Sequence, residues 1–170
     1  MIVRSLPILF LTVVSLFGES PPNWDRWQFL MGEWVGEGGG EPGQGTGSFS
    51  FKPELEGRIL VRKNRSDYPA TKDRPAVSHQ DLMVVYPGSP TAHAIYFDNE
   101  GHVIHYAADF QAGGVVFTSE AQASAPRFRL TYTKLAADKV GIRFEIAPPG
   151  KPDAFVPYVE AVARRKSNGA

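Results

Sequence analysis

From residue 33 to residue 164, apolar side chains recur at every second position in short runs, and turn-forming residues break the runs at close intervals. Successive side chains on a strand point to opposite faces, so this period of two writes strands that bury one face and wet the other. The runs lie near 33–40, 45–52, 57–66, 77–86, 91–97, 102–110, 114–120, 127–134, 139–147 and 154–164. Turn clusters such as Pro53-Glu54, Pro87-Gly88-Ser89-Pro90, Asp98-Asn99-Glu100-Gly101 and Pro148-Pro149-Gly150 separate them. Ten short strands with a single helical pattern argue an all-β antiparallel meander, a barrel or a sandwich. A barrel removes the unpaired edges that an open sheet of this size would leave. Seventeen Gly and fourteen Pro exclude a helix bundle, because both residues cut a chain into short elements. No linker, low-complexity tract or repeat divides the chain, so one domain over 23–166 is expected.

The first twenty residues stand apart. Arg4 precedes the apolar run Leu6 to Phe17, and Gly18-Glu19-Ser20 follows with small residues. A charged start, a short apolar stretch and small residues at its end make a secretory signal. A bilayer core about 30 Å thick needs roughly twenty apolar residues in a helix. Twelve are too few for a permanent span. Residues 1–20 are therefore expected to be removed, which leaves a secreted or periplasmic chain. Next, Asn23 can cap a helix start, and Trp24, Trp27, Leu30 and Met31 fall at helical spacing, so a short N-terminal helix is expected over 24–31 with Gly32 ending it. Residues 167–170 are expected to be a disordered tail. The absence of Cys excludes disulfides, thiolate metal sites and a thiol nucleophile. Eighteen basic and eighteen acidic residues cancel, which leaves no electrostatic footprint for nucleic acid or an anionic membrane.

The hairpin over 91–110 can be read in register. Its turn, Asp98-Asn99-Glu100-Gly101, suits a type I turn with Gly101 in the left-handed region as a bulge. Asp98 then faces His102 and Phe97 faces Val103. One face carries His93, Ile95, Phe97, His105 and Asp109, and the other carries Ala94, Tyr96, Tyr106, Ala108 and Phe110. Tyrosines beside alanines on an inner wall would leave room and offer hydroxyls to a guest, the composition a ligand cavity needs. Tyr96, Tyr106 and Phe110 are therefore candidate ligand-binding residues. The reverse orientation, with His93 and His105 inside, stays open and adds them to the candidates. Together with Asp109 those histidines could hold a divalent ion. Outward Ile95 and Phe97 would lie under the N-terminal helix or in a homodimer contact.

Phe29-Leu30-Met31-Gly32-Glu33-Trp34-Val35-Gly36-Glu37-Gly38-Gly39-Gly40 resembles the opening of the calycin-like bacterial barrels, with a short helix followed by Gly-x-Trp-x-Gly-x-Gly-x-Gly on the first strand. Residues 45–51, 55–60 and 96–104 fit the same pattern, and the resemblance covers roughly 23–166. The chain is similar to a lipocalin-like bacterial family of unknown function and, more distantly, to the nitrobindin-type heme barrels. The resemblance implies a ten-stranded calycin-like barrel. In it Trp34 closes one end, Arg164 (or its neighbour Arg165) stacks a cation on the indole, and Gly36 and Gly38 let the first strand bend. The heme barrels bind iron through a His near the last strands, and residues 150–170 contain none. No cofactor is expected, with heme or a divalent metal as alternatives.

Other features read as structural. Arg127 and Arg129, and Arg143 and Glu145, alternate with apolar residues and should form cross-strand ion pairs on the outside. The basic stretch from Lys52 to Arg65 reads as a solvated strand pair, without the interleaved aromatics that stack bases. Asp67, Asp73 and Asp81 lack calcium-loop spacing, and no Gly-x-Ser-x-Gly elbow is present. The expected function is an exported barrel that holds a small hydrophobic or amphipathic molecule. The alternatives are an acid–base isomerase or cyclase in the same cavity, or a heme or metal barrel.

Overall fold

The structure, a computed structural model, describes residues 20–37, 46–73, 75–89 and 91–167. The expected signal over residues 1–19, Gly38, and the tail residues 168–170 lie outside the described residues. Ten strands follow one another: β1 (Gly32–Gly36), β2 (Thr46–Glu54), β3 (Ile59–Tyr68), β4 (Val77–Pro87), β5 (Ala92–Asp98), β6 (Val103–Gln111), β7 (Gly114–Ser119), β8 (Arg127–Ala136), β9 (Lys139–Ala147) and β10 (Val156–Arg165). Each pairs antiparallel with its sequence neighbours, and β1 closes on β10 with Trp34 opposite Arg165 and Val35 opposite Arg164. The expected all-β closed sheet is present, and closure leaves no edge strand to template aggregation.

The expected N-terminal helix is not. Residues 25–27 form a 3-10 turn, and the hydrogen bonds from Trp24 to Met31 all span three residues. Three residues per turn stack positions 24, 27 and 30 on one edge. That edge is what the barrel end needs. Trp27 and Leu30 are buried, and Trp24 Nε1 donates to the carbonyl of Gly57 at 2.6 Å. Asn23 still serves the start, since its side-chain oxygen accepts the Asp25 backbone N–H at 2.7 Å. Gly32 then leaves the turn at φ +102°, where a Cβ would be strained.

This turn sits across the end of the barrel that carries the β2–β3, β4–β5, β6–β7 and β8–β9 connections. It packs against Phe110 and Phe117, with ring centroids 5.0 and 5.8 Å from Trp27. Trp34 lies beneath it, and its indole N–H donates to the Leu30 carbonyl at 2.8 Å. The cation over its ring is Arg165, 4.3 Å from the centroid, which also donates to the carbonyls of Met31 and Phe29. The assignment of Arg164 to barrel closure is thereby corrected. Side chains alternate along β10, so Arg165 shares the inner face with buried Ala163 while Arg164 points outward to Glu37 and Asp138. Gly36 lies beside Gly47 of β2, where an added Cβ would stand 3.4 Å from the Gly47 carbonyl, an ordinary contact.

Below this plug the inner faces interlock. Trp34, Phe51, Leu60, Met83, Val85, Val115, Phe117 and Tyr132 are essentially removed from solvent. The rings of Phe49, Phe51, Phe117 and Tyr132 meet at tilted and edge-on angles with centroids 5.5–6.3 Å apart. Such contacts add to the roughly 1.5–3 kcal/mol that burial of each large apolar side chain supplies. No helix among the described residues is long and apolar enough to cross a membrane.

Candidate functional site

At the opposite end, inward-facing side chains are only half-buried: Asn64, Ser66, His79, Tyr96, Ile104, Phe128 and Phe144. The barrel is thus sealed at one end and accessible at the other. The two halves of the accessible wall differ in chemistry. β3, β4 and β5 contribute a polar wall, and β6, β8 and β9 an apolar one. On the apolar side Phe128 and Phe144 stack, 5.9 Å apart and 11° from parallel. The exposed Tyr158, where the pairing of β10 with β9 shifts, adds an edge-on contact to Phe144.

The polar wall follows from strand parity. Leu60 on β3 and Met83 and Val85 on β4 face the core, so every second residue onward must face inward too. That places Arg62, Asn64, Asp81 and His79 inside. In the adjoining ladder Asn64 stands opposite Asp81, and Asp81 opposite Asp98. Arg62 and Asp81 are buried and bonded through Nη1 and Oδ1. Asn64 Nδ2 donates to Asp81 Oδ2 at 2.8 Å, and His79 Nε2 lies 3.5 Å from the same oxygen. His79 Nε2 is also 3.1 Å from the Tyr96 hydroxyl, and its Nδ1 is 3.0 Å from Glu100. The Tyr96 hydroxyl donates to Asp98 Oδ2 at 3.3 Å. Asp98 in turn accepts the backbone N–H groups of Glu100 and His102 and the His102 ring, at 2.9–3.0 Å.

These contacts set the charges. The hydrogen bond to Asp81, opposed by burial and reinforced by Glu100, raises the His79 pKa to about 9, so the ring is cationic at neutral pH. Burial alone would raise the Asp81 carboxyl, but Arg62, His79 and Asn64 hold it below its usual value. Burial also opposes the charge on Arg62, and Asp81 together with Tyr132, Tyr96 and Tyr106 outweighs it, so the guanidinium pKa is raised. Burial, and then the carboxylates of Asp81 and Asp98, push the Tyr96 hydroxyl well above its usual range, which keeps it a neutral donor. Burial raises Tyr132 to about 12. Among the described residues, Arg62 Nε and the Tyr132 hydroxyl are buried without a hydrogen-bond partner.

The hairpin register read from the sequence is the one observed, with Phe97 opposite Val103 and Gly101 at φ +92°. Tyr96 and Tyr106 face inward, their rings 6.4 Å apart, with Tyr106 buried as part of the floor. Phe110 also faces inward but at the plugged end, under Trp27 and with Arg26 4.0 Å above its ring. His93 and His105 stand on the outer face and do not line the interior. His105 is exposed, and His93 packs against Tyr86, ring centroids 5.8 Å apart. Ile95 and Phe97 share that outer face, away from the N-terminal turn, and Phe97 is 42% exposed. Among the described residues, no group of three His, Asp or Glu side chains is placed to hold a metal ion. The expected outer ion pair forms between Arg129 and Glu145 at 2.6 Å, covered by Phe155. The reading of Arg62 as a solvated strand residue is corrected by its burial.

Two open depressions of about 350 and 340 Å³ flank the β2–β4 wall. Asn64 lines both, with Asp81 and Asp98 in one and Trp34 and Phe49 in the other. Their linings mix inward and outward side chains, so both are grooves across the wall and not enclosed chambers.

Fold and site together define a closed ten-stranded antiparallel barrel with one sealed end and one two-sided, accessible end. No protein-family model matches the chain, and no curated protein matches it.

Proposed function

We propose that this chain is an exported, calycin-like barrel that binds a small apolar or amphipathic molecule in its accessible half. The observation that carries the reading is the division of the interior. One half is packed to near-zero exposure, whereas the other leaves inward aromatic and aliphatic side chains half-exposed beside a fixed polar wall. Apolar surface left facing inward is stabilised when a guest covers it, at about 25 cal/mol per Å². Tyr96 orients the guest and Tyr106 forms the floor. Phe110 supports that floor from the plugged side, and His93 and His105 are left out of the site. The apolar segment before residue 20 suits an exported protein. The outward Ile95 and Phe97 suit a homodimer contact.

Native mass spectrometry of the protein from its own host tests this. An added mass that is lost on solvent extraction and restored by re-addition is expected. A clean chain mass, with no binding of hydrophobic fluorophores, would refute it. A second reading, an acid–base isomerase or cyclase in the same cup, rests on the Tyr96 hydroxyl held between His79 and Asp98. Deuterium exchange beside the carbonyl of a bound ketone, abolished by Tyr96→Phe, would establish it.

A further inference from the structure

We infer that the guest is electrically neutral, an apolar body bearing a hydroxyl or carbonyl group and not a carboxylate or an amine. This rests on the binding reading above and deepens it. Both carboxylates of Asp81 and Asp98 and both ring nitrogens of His79 already have partners inside the protein, and Arg62 Nε, which has none, is buried among Phe49 and Tyr132. Asp81 Oδ1 accepts from Arg62, and Oδ2 accepts from Asn64 and faces His79. Asp98 Oδ1 accepts two backbone N–H groups, and Oδ2 accepts from His102 and Tyr96. Both ring nitrogens of His79 are engaged, by Glu100 on one side and by Tyr96 and Asp81 on the other.

An anionic guest would therefore have to draw Arg62 or His79 away from Asp81, which would stay behind, buried and short of one of its cations. Replacing one partner of a buried pair leaves the other uncompensated, the costly half of such an exchange. It would also meet an excess of negative charge, since Arg62 and His79 face Asp81, Asp98 and Glu100. A cationic guest benefits from that excess but finds no free carboxylate oxygen on Asp81 or Asp98. Apart from the buried Arg62 Nε, the groups of this wall with capacity left are uncharged: the second lone pair of the Tyr96 hydroxyl, the Ser66 hydroxyl and the Asn64 side-chain carbonyl. Both Ser66 and Asn64 are half-buried on the inner face. Opposite them, Phe128 and Phe144 present stacked rings to a flat or aliphatic body. The polar wall is thus a prepaired surface that tolerates a neutral polar group and discriminates against charge of either sign.

Three probes with one hydrocarbon body separate the outcomes: 2-naphthol, 2-naphthoate and 2-naphthylmethylammonium, titrated calorimetrically into the mature chain at pH 7. The naphthol is expected to bind about tenfold or more tightly than either ion, because a charged head must break an internal pair. Tyr96→Phe, and with less risk to packing Ser66→Ala, should each weaken naphthol about fivefold more than they weaken unsubstituted naphthalene. Tightest binding by the naphthoate would assign an anion site at Arg62 and overturn the inference while keeping the cup. Tightest binding by the ammonium would do so in favour of Asp98 and Glu100. No binding by any of the three, naphthalene included, would overturn the binding reading itself.

Discussion

Asp81→Asn should be among the most damaging conservative substitutions in the chain, and distinctly worse than Arg62→Met. The change removes a charge with almost no change of shape. It leaves the Arg62 guanidinium buried, its Nε already without a partner, among Phe49 and Tyr132, each ring centroid 5.9 Å away. Guanidinium does not give up its proton, so the charge persists. Breaking a buried pair in this way costs about 3–5 kcal/mol. For a domain of this size that corresponds to a fall of roughly 6–20 °C in Tm, at about 2–4 °C per kcal/mol. Arg62→Met leaves Asp81 in a kinder position, because Asn64 and the His79 cation remain on its other oxygen and the carboxyl can take up a proton. About half the cost is expected. The double variant removes both charges and should be less destabilised than the sum of the singles. Urea unfolding at pH 7 with a common m-value reads all three. If Arg62→Met is as costly as Asp81→Asn, His79 does not act as a second counter-ion and the argument fails.

Three further outcomes follow from the same contacts. The folded-state pKa of His79, about 9, lies above its ordinary 6.5, so the stabilisation is complete below pH 6.5 and is lost as pH rises through 9. After screening at this part-exposed site it amounts to about 1–2 kcal/mol. Unfolding free energies measured from pH 6 to pH 9.5 should fall by that amount in the native chain and stay flat in His79→Gln. Arg165→Ala uncovers Trp34 and leaves the carbonyls of Phe29 and Met31 without their donor, at a cost of about 2–3 kcal/mol. Arg164→Ala, which breaks only exposed pairs, should stay within about 0.5 kcal/mol, and thermal melts of the two compare them directly. Tyr132→Phe removes a buried hydroxyl that has no partner, so it should be neutral or stabilise by up to about 1 kcal/mol, and a clear loss of Tm would show that the hydroxyl is satisfied after all.

The strands and their closure were legible because their signals are local. Alternation marks each run, and Gly101 fixes the β5–β6 register by being able to adopt a positive φ. That Tyr96 and Tyr106 share a face followed from that register, whereas which face of the hairpin points inward did not. The polar wall did not follow, because a general preference, polar side chains outward, was allowed to outweigh parity. Leu60 and Leu82 bracket the ambiguity. On β3 the apolar Leu60 fixes the phase, and carrying it two and four residues on would have put Arg62 and Asn64 inside. On β4, Leu82 and Val84 are apolar and face outward, so Met83 and Val85 could not be told from them without the neighbouring strand. The pairing of Asn64 with Asp81 crosses the connection at 69–76, whose length carries no register signal of its own. The helix expected at 24–31 failed for a different reason. Trp24, Trp27 and Leu30 fit a three-residue period as well as a longer one over so short a span, and the barrel end selected the tighter form.

The plug at the Trp27 end has a consequence for traffic. A barrel open at both ends could pass molecules along its axis, and one stoppered at one end cannot. On the proposed binding reading, a guest enters and leaves by the end opposite the plug, so loading and unloading compete for one opening.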